Sequence, residues 1–266
     1  MILRRLVANL RQQHWTAIGI EFVLLVVGVF LGIQLGNWNQ DRADRQLGRA
    51  YAERLVSDLR KDRESRQRLI DYYKAVTASA EWTSDHLDDA DANPRRLVLE
   101  AYRTSEDVYA PKTRSTWDEI VSSGHIGLLP QGAGRSVTEY YAYDPAADTF
   151  ANLEASVYRH RVRSLLPHRL QEAIRARCSD KRNEAGHAVG FKSDCALELD
   201  DAIVSAGAKA LRDDPAVVEG LRYQFSTLST ANALIAGELT LLDRALAELA
   251  ARPSSGPAAD ESPRIP

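Results

Sequence analysis

The sequence has few of the residue combinations that mark an active site. Its six histidines are scattered, and none belongs to a His-Glu-x-x-His pair or to a three-ligand cluster. It has no glycine-rich loop of the phosphate-binding kind. With a formal net charge of −3, it has no overall field that would favour nucleic acid. We therefore predict that the protein is not an enzyme, needs no cofactor or metal, and does not bind nucleic acid.

Charge is missing from one stretch near the N-terminus. No charged residue occurs from Phe22 to Ile33, and the wider span 17–36 carries only Glu21 and Gln34 as polar side chains. Twenty residues that each rise about 1.5 Å give a helix of roughly 30 Å, which matches the hydrocarbon core of a bilayer. The pattern therefore predicts a membrane-spanning helix.

The alternative for this stretch is a cleaved signal peptide. A signal peptide would have a shorter apolar region and small residues at its cleavage site, whereas this run is long and ends in Asn37, Trp38 and Asn39. Trp15 and Trp38 bracket the run, as tryptophans do at membrane interfaces. We favour a retained transmembrane helix over residues 16–38.

The charges beside this helix give only a slight lean in orientation. Three arginines and the amino terminus precede it, and three arginines follow it: Arg4, Arg5 and Arg11 before, Arg42, Arg45 and Arg49 after. The positive-inside rule then favours a cytoplasmic tail over residues 1–15 and a main domain in the periplasm, with the protein in a bacterial inner membrane.

Cysteine is scarce, and the two that occur flank one polar loop. Cys178 and Cys195 enclose "SDKRNEAGHAVGFKSD" between predicted helices, which favours a disulfide formed in an oxidising compartment. Two free thiols in a cytosolic domain are the alternative. A zinc site that adds His187 is disfavoured, because the spacing and ligand count match no standard pattern.

No stretch shows the strict alternation of a β-strand, and helical spacing prevails after the membrane. Leu47, Tyr51, Leu55 and Leu59 recur every four residues. We predict an all-α helical bundle over 39–251, followed by a disordered tail over 252–266 that is rich in proline and small polar residues.

The last helix, predicted over 215–251, has the clearest periodicity. Apolar residues three and four apart form a heptad seam that has Asn232 at one inward position, where it would fix the register. The seam consists of Val218, Leu221, Phe225, Leu228, Asn232, Ile235, Leu239, Leu242, Leu246 and Leu249. We expect this helix to pack antiparallel against the long helix that follows the membrane; a coiled coil between two chains is the alternative.

The middle of the chain predicts shorter helices. Ser115 or Thr116 would cap a helix in "STWDEIVSSG", and Gly124 would end it in the left-handed conformation. A longer helix is expected over 146–177, bent at Pro167, and another over 196–211.

Two motifs resemble an uncharacterised family of bacterial single-pass membrane proteins. The first is "AIGIEFVLLVVGVFLGIQLGNWNQDRADR", which is similar to the family's anchor helix ending in a "GVxxxxQxNNWN"-like motif. The second is "STWDEIVSSGHIGLLP" with "YY" shortly after, which is similar to the family's "SSG-x-L-x-L" turn. This chain departs from the first motif at Leu35-Gly36. The resemblance implies the anchored helical architecture and supplies no catalytic residues.

Aromatic residues and one serine suggest two further sites. Trp117, Tyr140, Tyr141 and Tyr143 would line a ligand pocket between helices, or else belong to the core. Ser123 lies near His125, but a helix C-terminus explains the same letters without a nucleophile.

Glycines at every fourth position suggest the partner surface. Gly28, Gly32 and Gly36 share a helical stripe with Leu25 and Glu21. Close backbone packing drives helix association in bilayers, so we expect this stripe to meet its own copy or another transmembrane subunit. The alternative is an ordinary lipid-facing helix in which Glu21 reaches the interface.

These features together predict a membrane-anchored, non-enzymatic structural or interaction protein of the bacterial envelope. Its partners would be the lipid bilayer and a second transmembrane helix. The alternative is a helical bundle that senses a small molecule and signals through a membrane partner.

Overall fold

The computed structural model describes residues 15–251, with side chains described from Ile20 onwards. The predicted tails 1–15 and 252–266 thus lie almost entirely outside the described residues, as does the side chain of Trp15. The described residues belong to two units, and the boundary between them in the sequence lies between Tyr51 and Ala52.

The first helix, α1, runs from Trp15 to His86 without a break. Its N-terminal part is apolar and uncovered: the side chains from Ile20 to Trp38 are all exposed. By its length and composition, this stretch is long and apolar enough to cross a membrane.

The second unit is a helical bundle, which confirms the all-α prediction. After the end of α1 it contains eight described α-helices and a 3₁₀ turn over His125–Leu128. The helices are α2 Pro94–Thr104, α3 Ser115–Ser122, α4 Ala133–Ala142, α5 Pro145–Glu154, α6 Val157–Leu165, α7 His168–Arg177, α8 Asp201–Arg212 and α9 Pro215–Ala250.

The described chain also has two short strands, which the sequence did not predict. Strand β1 is Asp180–Arg182 and strand β2 is Ala188–Phe191; they pair antiparallel inside the disulfide-bracketed loop. A hairpin this short shows too few alternating residues to be recognised from sequence.

Helix starts follow the local chemistry, although not always at the predicted residue. Asn93 accepts hydrogen bonds from the amides of Arg95 and Arg96, and Pro94 is the first residue of the helix. Asp214 caps α9 in the same way, so the predicted last helix is confirmed to within one residue.

The predicted helix over 146–177 is wrong, because the structure has three helices there. The Ser156 hydroxyl caps a new helix by accepting from the Arg159 amide at 3.3 Å. Leu166 is extended before Pro167, where proline disfavours the helical conformation of the preceding residue. The predicted helix at 196 begins instead after Asp200, whose carboxylate caps it.

The predicted cap of α3 is also wrong. The residue before the helix is Arg114, which makes no side-chain capping bond. Thr116 instead donates from its hydroxyl to Asp58 on α1 at 2.6 Å, so a tertiary contact takes the group that would have capped the helix. Gly124 has φ 74° and ends α3 as predicted.

Helix α9 runs antiparallel to α1, as predicted. Two ion pairs show the order: Arg63 lies 2.6 Å from Asp243, and Arg66 lies 2.9 Å from Glu238. The residue number rises on one helix while it falls on the other. This geometry places the α9 seam within the bundle.

The buried line on α9 differs from the predicted seam in every second member. Leu221, Leu228, Ile235 and Leu242 are buried as expected. Between them, the fully buried positions are those that precede the predicted ones: Gln224, Ala231, Glu238 and Ala245. Asn232 is only half-buried and donates to the Leu228 carbonyl of its own helix at 3.1 Å, so it sets no register through that bond.

Candidate functional site

A segment without regular structure makes many polar contacts with the rest of the bundle. Residues 105–114, "SEDVYAPKTR", connect α2 to α3, and we call them the strap. Most of the strap is buried or half-buried. A buried segment outside helices and strands needs partners for its polar groups from elsewhere in the fold.

The first half of the strap is held by two arginines of α6. Arg163 lies 3.1 Å from the Glu106 carboxylate, and Arg159 lies 3.2 Å from that of Asp107. Both guanidinium groups also donate to the Ser105 carbonyl. Burial raises the pKa of Glu106 and of Asp107, and the positive arginines oppose that rise without cancelling it.

The second half of the strap is held by α1 and α9. Arg66 donates from Nη1 to the Ala110 carbonyl at 2.8 Å, and the Thr113 amide donates to Asp62 at 2.9 Å. Lys112 donates to the Tyr140 and Tyr143 carbonyls and lies 2.9 Å from the Glu238 carboxylate.

Glu238 therefore joins two buried cations. The side chains of Arg66, Lys112 and Glu238 are exposed by 0%, 2% and 2%, and the Arg66 Nε donates to Glu238 at 2.9 Å. Burial lowers the pKa of Arg66, but the nearby carboxylates, first Glu238, more than offset this, so its pKa is raised. Arg66 and Lys112 thus share one buried carboxylate.

Of the four aromatics predicted to line a pocket, three pack against one another in the core and the fourth does not. Trp117, Tyr140 and Tyr141 are buried, while Tyr143 is 55% exposed. Trp117 and Tyr141 stack with ring centroids 5.3 Å apart, and Tyr140 meets Tyr141 edge-on at 4.9 Å. Three of the four rings therefore fill the core around the strap, which is the alternative that the sequence left open.

The predicted disulfide between Cys178 and Cys195 is present, with their Cα atoms 5.1 Å apart. Both sulfurs are therefore engaged with each other, and the alternatives of free thiols and of a zinc site with His187 are wrong. Arg103 donates to the Lys192 carbonyl at 2.6 Å and its Nη2 lies 3.7 Å from the Cys195 Sγ, which fastens the loop to α2.

The Ser123 hydroxyl is used at the end of α3. It donates to the Glu119 carbonyl at 2.8 Å, as a polar residue does at a helix C-terminus. Its second contact is the Ile120 carbonyl at 3.2 Å, so the structure uses this serine within the helix end.

The glycine stripe lies on the uncovered part of α1. Steps of four, three, four and four residues along a continuous helix put Glu21, Leu25, Gly28, Gly32 and Gly36 on one face. A Cβ atom added at any of the three glycines would meet no other heavy atom within 4 Å beyond its own helix neighbourhood. Packing within the described part of the chain therefore does not explain these glycines.

The disulfide-bracketed hairpin also shapes a cleft that the sequence gave no signal for. The cleft holds about 600 Å³ and lies between α1, the strap and the turn between the two strands. Its walls come from three segments far apart in the chain, so no local motif marks it. The chain matches no protein-family model, no curated protein and no solved structure.

Proposed function

We propose that the protein is a membrane-anchored, non-enzymatic interaction protein of the bacterial envelope. The observation that supports this most directly is the apolar part of α1, in which every described side chain from Ile20 to Trp38 is exposed. Contiguous apolar surface of this extent is unfavourable in water, and a lipid bilayer covers it. The resemblance to single-pass membrane proteins agrees with this proposal and stays a prediction.

The glycine stripe is proposed as the contact surface. Lipid tails are as apolar as leucine side chains, so contact with the bilayer alone does not favour glycine over leucine at Gly28, Gly32 and Gly36. A groove without side chains allows a second helix to approach closely. Glu21 lies on the same face, where burial against a partner would remove a carboxylate from lipid. The partner is a second copy of this chain or another transmembrane subunit.

The proposed orientation places the N-terminus in the cytoplasm and the bundle in the periplasm. The Cys178–Cys195 bond supports it, because disulfides persist in oxidising compartments and are rare in the cytosol. Protease added to spheroplasts should then digest the bundle, and mass spectrometry without reductant should find the two cysteines joined. Free thiols together with protection from external protease would reverse the orientation.

Association through the stripe is tested with two matched variants. Gly32→Ile fills the groove, whereas Val29→Ile adds bulk on another face of the same helix. Two differently tagged copies of the chain, co-expressed in membranes, should co-purify in the wild type and in Val29→Ile, and about tenfold less in Gly32→Ile, the equivalent of about 1.4 kcal/mol. The tagged wild type and both tagged variants, each crosslinked in native membranes, give the same comparison for a different subunit.

Two results would contradict the proposal. One is equal association of Gly32→Ile, Val29→Ile and the wild type, both with the second copy and with crosslinked subunits. The other is recovery of the wild-type chain in the soluble fraction, since an anchored protein stays with the membrane.

A small-molecule sensor is the second candidate function, and the cleft beside the strap favours it. A volume of about 600 Å³ lies within the range of small-molecule sites. In that case the bundle would bind the ligand, and the transmembrane partner would receive the signal.

A further inference from the structure

We propose that the cleft between α1, the strap and the hairpin turn binds a small organic anion that carries an apolar group. This inference goes beyond the membrane association proposed above and does not depend on it. The cleft is distinct from the aromatic cluster that the sequence had suggested as a pocket.

The walls of the cleft are well anchored. On α1, the lining residues recur at helical spacing from Lys61 to Leu69. The strap supplies residues 108–111 and Thr113, which are held in place by the bonds described above. The third wall is the turn 182–188, in which Gly186 has φ 80° and the disulfide closes the base of the loop. A cleft with fixed walls binds with a smaller loss of conformational entropy.

One of the two acidic residues that line the cleft is buried, so the exposed part of the lining is more basic than the full list of lining residues. Asp62 is 1% exposed, and its two oxygens accept from the Thr113 amide and the Tyr140 hydroxyl, both at 2.9 Å. Its charge is therefore compensated from within the fold. Glu64 is then the exposed acid of the lining, on the same helix as Lys61 and Arg68.

Arg68 is the cation best placed to hold an anion. It lines the cleft half-buried, and among the described residues it has no ion-pair partner. By contrast, Arg182 on the opposite wall already donates to the Gly186 carbonyl at 2.8 Å and lies 3.3 Å from Asp180. A half-desolvated guanidinium with free donors binds a carboxylate through two parallel hydrogen bonds.

Apolar groups beside Arg68 define the rest of the ligand. Leu69 and Ala188 are buried at the cleft wall, and Val108 and Pro111 of the strap line it as well. A ligand with an anionic group on Arg68 would place its apolar part against these side chains. The preferred class is therefore a carboxylate with an aromatic or aliphatic body, rather than a bare inorganic ion.

The experiment uses the full chain in neutral detergent micelles, with ¹³C-labelled alanine methyl groups. Benzoate is the probe, benzyl alcohol is its neutral analogue, and inorganic phosphate is an anion without an apolar part. The Ala188 methyl resonance reports on the cleft, and that of Ala231, which is buried on α9, reports on the rest of the bundle.

Benzoate should shift the Ala188 resonance saturably while leaving Ala231 in place, and benzyl alcohol and phosphate should bind at least several times more weakly. Arg68→Gln should weaken the binding of benzoate by about tenfold or more, because it removes the charge-assisted hydrogen bonds to the carboxylate. The matched control is Arg60→Gln, an exposed arginine of the same helix outside the cleft, which should bind as the wild type does.

Three outcomes would overturn the inference: no saturable shift of Ala188 with benzoate, equal affinity for benzyl alcohol, or equal weakening by Arg68→Gln and Arg60→Gln. Each leaves the association through Gly32 untouched, because that is measured by co-purification.

Discussion

The apolar part of α1 and the strap have opposite relations to their own sequence. Residues 20–38 are almost purely apolar, yet their side chains are exposed. Residues 105–114 are rich in charge, yet most of them are buried or half-buried. Composition alone would assign each stretch to the environment that the other occupies.

The difference comes from where each stretch finds its partners. The apolar side chains of this part of α1 find no cover among the described residues, and in the function proposed above a bilayer covers them. The charges of the strap are covered by residues far away in sequence: Glu238 is 126 positions from Lys112, and Asp62 is 51 positions from Thr113. A buried charge is stable only with such partners.

The comparison is tested most strongly at Glu238. Glu238→Ala leaves Arg66 and Lys112 buried without their shared carboxylate, and the loss of one partner from a buried ion pair costs about 3–5 kcal/mol. We expect urea unfolding of the full chain in detergent, followed by near-ultraviolet circular dichroism, to show a loss of this size.

The control is Asp243→Ala, five residues further along the same helix. Asp243 pairs with Arg63 at 2.6 Å, but the two side chains are 54% and 47% exposed. Exposed pairs contribute about 0–1 kcal/mol, so the midpoint should barely move. Equal losses for the two variants would show that burial of the strap network does not set its contribution.

The sequence predicted the features that depend on near neighbours. The apolar span, the proline start of α9 and the left-handed Gly124 each follow from residues within one or two turns. The disulfide was also predicted, because the two cysteines flank one loop and the described chain offers neither of them another thiol.

The antiparallel packing of α9 on α1 was predicted, but the polar side chains that pair across distant parts of the chain were not. The α9 seam was assigned from apolar letters, so Gln224 and Glu238 were missed although both are buried. Gln224 accepts from the Ser156 hydroxyl at 2.7 Å and donates to the Thr104 carbonyl at 3.1 Å, and neither residue is near it in sequence. The strap and the cleft were missed for the same reason: a polar residue is recognised as interior only once its partner is known.

The buried carboxylates of the strap also predict how stability responds to pH. The pKa of Glu106 is raised by burial in the folded chain, so the folded state holds its proton to a higher pH than the unfolded state does. The contribution of this group is therefore fully present below its unfolded pKa and is lost as pH rises through the folded value. Asp107 contributes with the same sign.

Glu106→Gln should remove the Glu106 part of this dependence. The free energy of unfolding is measured from pH 4 to pH 7 for the wild type, for Glu106→Gln and for Glu139→Gln, an exposed residue that pairs with Arg244 at 3.5 Å. Relative to the wild type, Glu106→Gln should gain stability as pH rises, whereas Glu139→Gln should run parallel to the wild type. A Glu106→Gln curve that falls relative to the wild type would mean that its pKa is depressed by Arg163 rather than raised.

The smallest effect is expected on the apolar part of α1 itself. Phe30 is 58% exposed and Leu59, on the same helix within the bundle unit, is 0% exposed. Leu59→Ala removes buried methyl groups and leaves a cavity, which costs about 2–5 kcal/mol. Phe30→Ala removes a larger side chain, but that side chain is mostly exposed in the folded chain. The free energy of unfolding of the bundle should therefore change by less than about 0.5 kcal/mol. The same variant should still be found in the membrane, because the remaining apolar span is long enough to cross it. A loss of bundle stability in Phe30→Ala close to that of Leu59→Ala would show that the apolar part of α1 is covered by protein after all, and the contrast with the strap would fail.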